Sequence, residues 1–303
     1  MHSSTIGTYD ANSFRLLAKV FTRPVFASLA RSGDYAPLGF LEGREISFSD
    51  RSNILTLSHW FDSMWHKLSM SYRNEYVYKN ELATRLIFKR HSPKTAGFQL
   101  ELGVGRSIVD VAIANGTSTA YEIKTEFDTS KRLKSQTSDY LKVFDKVYVV
   151  THPAHVERYL RDLDPRVGLI VLSKETSLTP YREAINNEKN VDARAIFRCL
   201  RRNEYLHAIN MLFGETPDLP NGLIAHYCEG LFSSLPPEVA HAIFVSALRK
   251  RTTDIGTVGY INQLPMSLRA LGYATPLSGK QRNTILELLA RPIPCSSNNL
   301  SKR

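Results

Sequence analysis

One carboxylate precedes a predicted turn, and a second carboxylate and an amine follow it. Asp110 interrupts an apolar run, and Glu122 and Lys124 follow the turn residues 115–117. Strict alternation after the turn predicts a strand in which Glu122 and Lys124 project to one face, roughly 7 Å apart. A hairpin that presents Asp110 on that face brings both acids and the amine together.

Oxygen ligands from two strands suit a hard divalent cation such as Mg²⁺ or Mn²⁺, which binds carboxylates together with waters and phosphate oxygens. An adjacent lysine can orient an attacking water and stabilise the charge that develops on a phosphate. These residues therefore predict a site that hydrolyses phosphodiester bonds.

The order Asp110, about ten residues, then Glu122-x-Lys124 resembles the PD-(D/E)XK nuclease superfamily, whose core strands carry Asp and (Asp/Glu)-x-Lys. Downstream, Gln136 and Tyr140 are similar to the Gln-x-x-x-Tyr helix motif of the branch that contains the RecB-type nucleases. No proline precedes Asp110, which departs from the pattern in the superfamily's name. The resemblance covers about a third of the chain, from residue 72 to residue 173.

This resemblance implies metal ligands from three segments. They are the carboxylates of Asp110 and Glu122, the main-chain carbonyl of Ile123 and the carboxylate of Glu81. Glu81 lies on a predicted helix over 72–90, where Glu75 is the rival residue and a surface pair with Arg85 is the structural alternative. Glu101 on the preceding strand ranks below Asp110, because edge strands commonly carry polar residues on their solvent face.

The remaining site residues act on water, on the ligands or on the substrate. Lys124 positions the attacking water, and Gln136 and Tyr140 face the site from one side of the following helix. Three basic residues near the start of that helix, Lys131, Arg132 and Lys134, are expected to bind a phosphate backbone. A solvated helix face is the alternative for this basic cluster.

Composition favours a polyanionic partner. The chain has 39 Lys and Arg against 29 Asp and Glu, a formal net charge of +10, and clustered cations release counterions from nucleic acid. Its three cysteines are too few and too widely spaced for a zinc site or a disulfide framework, which predicts a reducing, cytoplasmic location. No stretch reaches the 18 apolar residues that a membrane span needs.

The alternation of strands and helices predicts an α/β fold. We expect a restriction-endonuclease-like core over 72–175, in which helices flank a mixed central sheet. A helical N-terminal extension over 1–71 precedes it, and a helical C-terminal domain over 176–303 follows it. Strands beginning near 145 and 167 are expected to be parallel neighbours.

The sequence thus predicts a Mg²⁺- or Mn²⁺-dependent nuclease, with DNA as substrate and a role in restriction, repair or phage defence. One alternative is a catalytically inactive nucleic-acid-binding module with the same fold. A second is an interaction subunit of a defence system, whose C-terminal helices bind a partner protein or a second copy.

Overall fold

The computed structural model describes residues 11–41, 56–173 and 175–293. It confirms an α/β fold with a six-stranded mixed sheet flanked by helices. The described strands are β1 (Gly97–Val104), β2 (Ser107–Asn115), β3 (Thr117–Lys124), β4 (Lys146–Thr151), β5 (Gly168–Leu172) and β6 (Leu178–Arg182). They lie in the sheet in chain order. β1, β2 and β3 are antiparallel, β3, β4 and β5 are parallel, and β6 is antiparallel to β5.

The described helices are α1 (Ala11–Val20), α2 (Arg23–Ser32), α3 (Leu57–Ser71), α4 (Glu75–Leu82), α5 (Leu133–Leu141), α6 (Val156–Asp162), α7 (Ala193–Phe197), α8 (Arg202–Phe213), α9 (Asn221–Phe232), α10 (Pro237–Lys250), α11 (Ile255–Gln263), α12 (Arg269–Ala274) and α13 (Gly279–Ala290). The longest of them, α3, has 15 residues. None of these described helices has the length and apolar character that a membrane crossing requires.

A tight turn joins β2 to β3, as predicted. Gly116 has a φ of 75°, a left-handed conformation that carries no steric penalty for glycine. Asn115 pairs with Thr117 across the turn. Because side chains alternate along a strand, this hairpin puts Glu122 and Lys124 on the same face of the sheet.

Helices α5 and α6 connect the parallel strands. β4 lies between its two parallel neighbours and is buried from Val147 to Thr151, the usual state of a parallel strand with both faces covered. The prediction that the strands near 145 and 167 are parallel neighbours is confirmed.

The chain forms two compact units, residues 1–84 with 259–303 and residues 85–258. These boundaries differ from the predicted 1–71, 72–175 and 176–303. The second unit contains α7 to α10 as well as the sheet, because α10 packs against β1, β2 and β3. The predicted C-terminal helical domain is therefore divided between the two units.

The first unit combines helices from the N-terminal part of the chain with helices from its C-terminal part. α13 packs against α2 and α3, and α12 packs against α4. The fully buried Asn80 amide donates to the Met266 carbonyl at 2.9 Å and accepts from the Ala270 N–H at 3.1 Å. Two hydrogen bonds between residues 186 and 190 positions apart in sequence therefore help to hold this unit together.

In the second unit, α5 and α10 cover the face of the sheet that carries Glu122. α10 approaches β1 so closely that a Cβ at Gly97 would lie 2.5 Å from the Leu248 carbonyl oxygen. The rings of Phe144 and Phe244 pack edge to face beneath the helix at 5.4 Å. This packing makes the sheet and the helices that follow it one unit.

The helix predicted over 72–90 is present with a change of geometry. α4 covers its first half, and Ala83–Arg90 continues as a π-helix. The N–H of His91 bonds the Leu86 carbonyl, five residues earlier. π-Helical segments are rare and occur frequently near functional sites.

Two of the three cysteines lie in the described residues. Cys199 and Cys228 are buried and form no disulfide, and burial raises the pKa of Cys199 to about 12. Cys295 lies outside the described residues. The two described thiols therefore behave as small apolar groups.

Candidate active site

β2 and β3 separate at the end of the hairpin that carries the predicted site. Their pairing begins at the turn and ends where Val111 lies opposite Tyr121. One step further in the same register, Asp110 faces Glu122, and opposed residues of antiparallel strands share a face. The register therefore brings the two predicted carboxylates to one place.

The Asp110 carboxylate lies between the separating strands. Its Oδ2 accepts a hydrogen bond of 2.7 Å from the Ile123 N–H. The N–H and C=O of one strand residue point to the same side, so the Ile123 carbonyl also faces the Asp110 side of β3. The predicted ligand pair, the Asp110 carboxylate and the Ile123 carbonyl, is thus brought together.

Glu122 is only 1% exposed and is held at both carboxylate oxygens. Its Oε1 accepts from Lys124 Nζ at 2.5 Å, and its Oε2 accepts from the Tyr140 hydroxyl at 2.7 Å. A buried carboxylate remains charged only when it is paired and hydrogen-bonded in this way. Lys124 and Tyr140, both predicted site residues, therefore contact Glu122 directly.

Tyr140 ties α5 to both strands of the hairpin. Its hydroxyl lies 2.6 Å from the Ile108 carbonyl oxygen as well as 2.7 Å from Glu122, so one proton serves two acceptors. Burial raises the pKa of Tyr140 well above its usual value, and the negative charge of Glu122 raises it further. The phenol therefore stays protonated and acts as a donor.

Gln136 lies one helical turn before Tyr140, on the same side of α5. The Gln136 Oε1 is buried and has no hydrogen-bond partner among the described residues. Buried polar atoms are nearly always paired, so an unsatisfied acceptor marks a place where a water or a ligand group can bind. The role of Gln136 at the site stays a prediction.

The basic cluster of Lys131, Arg132 and Lys134 is exposed at the start of α5. None of the three forms an ion pair with the residues that the structure describes. Their charges are therefore available to a polyanion.

Glu81 belongs to the first unit, whereas Asp110, Glu122 and Lys124 belong to the second. Glu81 is buried in α4, and its role as a metal ligand stays a prediction. The rival residue, Glu75, is exposed and pairs with Lys79 one turn later, with 2.5 Å between Nζ and Oε1.

A comparison with known families identifies the group to which the chain belongs. The family model described as bacteriophage P4 protein cII matches residues 69–256, more than half of the chain. The chain belongs to the bacteriophage P4 protein cII family. The matched range includes Glu81 and the whole site on β2, β3 and α5.

One cII relative indicates how far this similarity extends. Protein cII of Enterobacteria phage P4 is 30% identical over 112 residues, which are 37% of this chain and 39% of that protein. The aligned segment therefore spans well under half of the relative's length. No solved structure matches the chain.

The cII-family chain has one strained residue beside the site. Glu101 on β1 lies between Leu100 and Leu102, which pair with Val111 and Val109 on either side of Asp110, and it has a φ of 55°. A non-glycine residue in this left-handed region costs roughly 1–2 kcal/mol, and such strain concentrates at functional sites. The sequence gives no signal for it, because a glutamate in an alternating strand predicts ordinary extended backbone.

A second polar cluster, which the sequence did not indicate, lies on the same face of β3. Ser118 Oγ is 2.8 Å from His241 Nε2, and His241 Nδ1 is 3.2 Å from Glu188 Oε1. Ser118 Oγ also accepts from the Asp145 N–H at 3.2 Å. Although the order Ser, His, Glu resembles a nucleophile triad, Ser118 is fully buried. Its hydroxyl is held between His241 and the Asp145 N–H in the paired part of the hairpin, which is typical of a structural contact.

The site residues offer oxygen atoms of the kind that a hard divalent cation binds. In the described part of the chain, no three His, Cys, Asp or Glu side chains form a group that could hold a metal ion. Two carboxylates and a main-chain carbonyl are nevertheless a sufficient protein contribution for Mg²⁺, which keeps several waters. The unsatisfied Gln136 oxygen is an acceptor for one such water.

Proposed function

We propose that this cII-family chain is a Mg²⁺- or Mn²⁺-dependent nuclease that hydrolyses phosphodiester bonds in DNA. The meeting of Asp110, Glu122 and Lys124 where β2 and β3 separate carries this proposal. The mixed sheet flanked by helices supports a restriction-endonuclease-like core of the PD-(D/E)XK type. Restriction, repair and phage defence are the roles compatible with it.

Each residue has a distinct task in this proposal. Asp110, Glu122 and the Ile123 carbonyl hold the cation. When bound, the cation polarises the phosphate and lowers the pKa of water towards neutrality. Lys124 orients the attacking water and stabilises charge on the phosphate.

The two α5 residues act on the same centre. Tyr140 fixes the orientation of Glu122 through its 2.7 Å hydrogen bond. Gln136 offers its unsatisfied oxygen to a water beside the carboxylates. The basic cluster on α5 binds the phosphate backbone on either side of the scissile bond.

The first experiment is a cleavage assay on linear duplex, circular and single-stranded DNA with Mg²⁺ or Mn²⁺. Glu122→Gln should lower the rate by more than about 10³-fold, because several kcal/mol of transition-state stabilisation depend on the metal. The new amide can donate to Tyr140 while Tyr140 donates to the Ile108 carbonyl, but Lys124 loses its counter-charge. Circular dichroism therefore checks that the variant is folded at the assay temperature.

Glu188→Gln is the matched control for this assay. It makes the same chemical change at a half-exposed carboxylate of the second unit, which contacts His241. Its cleavage rate should stay within about twofold of the wild type. A wild-type chain that cuts none of these substrates with either metal overturns the proposal.

Metal binding can be measured without cleavage. A cation that binds only the folded chain at ten times its Kd stabilises it by about 1.4 kcal/mol, which raises the Tm by roughly 3–6 °C. Asp110→Asn should remove this shift. A shift of the same size in Asp110→Asn would place the cation elsewhere.

A second candidate is a non-catalytic nucleic-acid-binding module or an interaction subunit. The observation in its favour is that Lys124 and Tyr140 already satisfy both oxygens of Glu122, so the cluster is stable as a structural ion pair. This candidate predicts DNA binding without cleavage. Where the C-terminal helices instead bind a protein or a second copy, it predicts no salt-dependent DNA affinity.

A further inference from the structure

A tight turn follows the strand that carries Glu122 and Lys124. The Asp128 carboxylate accepts from the Thr125 N–H at 2.8 Å and from the Thr125 hydroxyl at 2.7 Å. The Phe127 N–H donates to Thr125 Oγ1 at 3.2 Å. Three hydrogen bonds within four residues fix the backbone of this turn.

The turn carries a large apolar side chain that is more than half exposed. Phe127 is 59% exposed although its backbone is fixed. Ile108, at the start of β2, is 57% exposed. Both residues lie at the end of the sheet where β2 begins and β3 ends, which is the end that carries Asp110 and Lys124.

Positively charged residues follow the exposed ring a few positions later in the chain. Lys131, Arg132 and Lys134 lie four to seven residues beyond Phe127, and all three are exposed. Asp128 is used in the turn, so cationic side chains dominate the surface that follows it. An exposed aromatic ring beside free cations is the combination that binds single-stranded nucleic acid.

We propose that this end of the sheet binds an unpaired stretch of DNA, with Phe127 stacked on a base and the α5 basic cluster on the phosphates. The proposal rests on the nuclease function and specifies its substrate, a single strand or a frayed end. Phe127 has no donor or acceptor with which to read base edges in a groove. Stacking on the face of an unpaired base avoids the few kcal/mol that unstacking a step of duplex DNA would cost.

The test is fluorescence anisotropy with a labelled oligonucleotide, single-stranded or annealed to its complement, in EDTA so that no cleavage occurs. Wild type should bind the single strand more tightly than the duplex. Phe127→Ala should weaken single-strand binding about tenfold and change duplex binding by less than about twofold. Phe127→Trp should restore the affinity, because the larger ring also stacks.

Tyr181→Ala is the matched control. Tyr181 is an aromatic residue of similar exposure, 56%, on the edge strand β6, and its removal should leave both affinities unchanged. In Phe127→Trp, the added indole should also be quenched by the single strand, whereas the native Trp60 and Trp65 are buried.

Salt dependence tests the basic cluster separately. Each phosphate contact on a single strand contributes about 0.7 to the slope of log K against log salt. The double variant Lys131→Ala and Arg132→Ala should therefore lower that slope by about 1.4. An unchanged slope would show that these residues are only a solvated helix face.

The outcomes separate this inference from the nuclease proposal. Equal losses on single strand and duplex in Phe127→Ala, or an unchanged affinity, overturn the stacking assignment even if the chain cuts DNA. Selective loss on the single strand supports it even if no metal gives cleavage. If the wild-type chain binds neither the single strand nor the duplex, the inference is overturned.

Discussion

Two buried polar clusters on one face of β3 show what distinguishes a structural tie from a candidate active site. Near the start of the strand, Ser118 contacts His241 and the Asp145 N–H. At its end, Glu122 contacts Lys124 and Tyr140. Both clusters combine a carboxylate with groups that could transfer protons, and each lies near a buried acceptor that has no partner among the described residues, Asn187 Oδ1 for the first and Gln136 Oε1 for the second.

The difference follows from position along the strand. At Ser118, β2 and β3 are still paired, through Ala114, and α10 covers the residue. At Glu122 the pairing has ended, and the Ile123 N–H bonds a side chain instead of a neighbouring strand. Strand separation therefore leaves main-chain groups of β3 that a continuous ladder would pair with β2.

Removing Lys124 should produce the largest change in stability. Lys124→Ala leaves Glu122 buried without its counter-charge, which should cost about 3–5 kcal/mol in the free energy of unfolding. Chemical denaturation measures this loss. In the double variant with Glu122→Gln the loss should be much smaller, and an equal loss would show that the two charges are not coupled.

Ser118→Ala should have an intermediate effect. It removes the hydroxyl that serves both His241 and the buried Asp145 N–H, at a cost of about 1–3 kcal/mol. Cleavage of DNA should remain near the wild-type rate at temperatures where the variant is folded. A loss of activity without a loss of stability would make this cluster part of the reaction.

Tyr140→Phe should separate the two roles of the second cluster. The loss of one shared hydrogen bond should cost about 0.5–1.5 kcal/mol in stability. Cleavage should fall further than that, because Glu122 loses the donor that orients it. For each variant, the fold loss in kcat is compared with the loss in free energy of unfolding. If Tyr140 positions a catalytic group, Tyr140→Phe should lose more kcat than Ser118→Ala although it loses less stability.

Glu101→Gly should give the smallest effect and the opposite sign. Glycine adopts a φ of 55° without steric strain, so we expect a gain of up to about 1 kcal/mol. Thermal unfolding measures it. Destabilisation would mean that the glutamate side chain makes contacts worth more than its backbone strain.

Local patterns were sufficient for much of the sheet and for half of the site. Alternation put Glu122 and Lys124 on one face, and the turn at Gly116 fixed the hairpin that brings Asp110 to them. The helical spacing of Gln136 and Tyr140 placed both towards the sheet. These relations depend on neighbours within about 30 residues, which is the range over which periodicity is informative.

Relations between distant segments could not be predicted in this way. Ser118 and His241 are 123 residues apart, and no local signal links a strand serine to a helix histidine. β6 lies within the segment predicted as a helical C-terminal domain. It contains Pro180, which is tolerated at the edge position that β6 occupies. The joining of both chain ends in the first unit likewise depends on long-range packing.

The absence of a side chain at Gly97 governs more than one local contact. The Cβ of any other residue there would clash with the Leu248 and Arg249 backbone. The clash would push α10 away from the three strands that it packs against. Since α10 also carries His241, such a change would loosen the helical half from the sheet while leaving every group at the Glu122 cluster chemically intact. A substitution at Gly97 would therefore test how far the packing of α10 matters, without changing any residue of the Glu122 cluster.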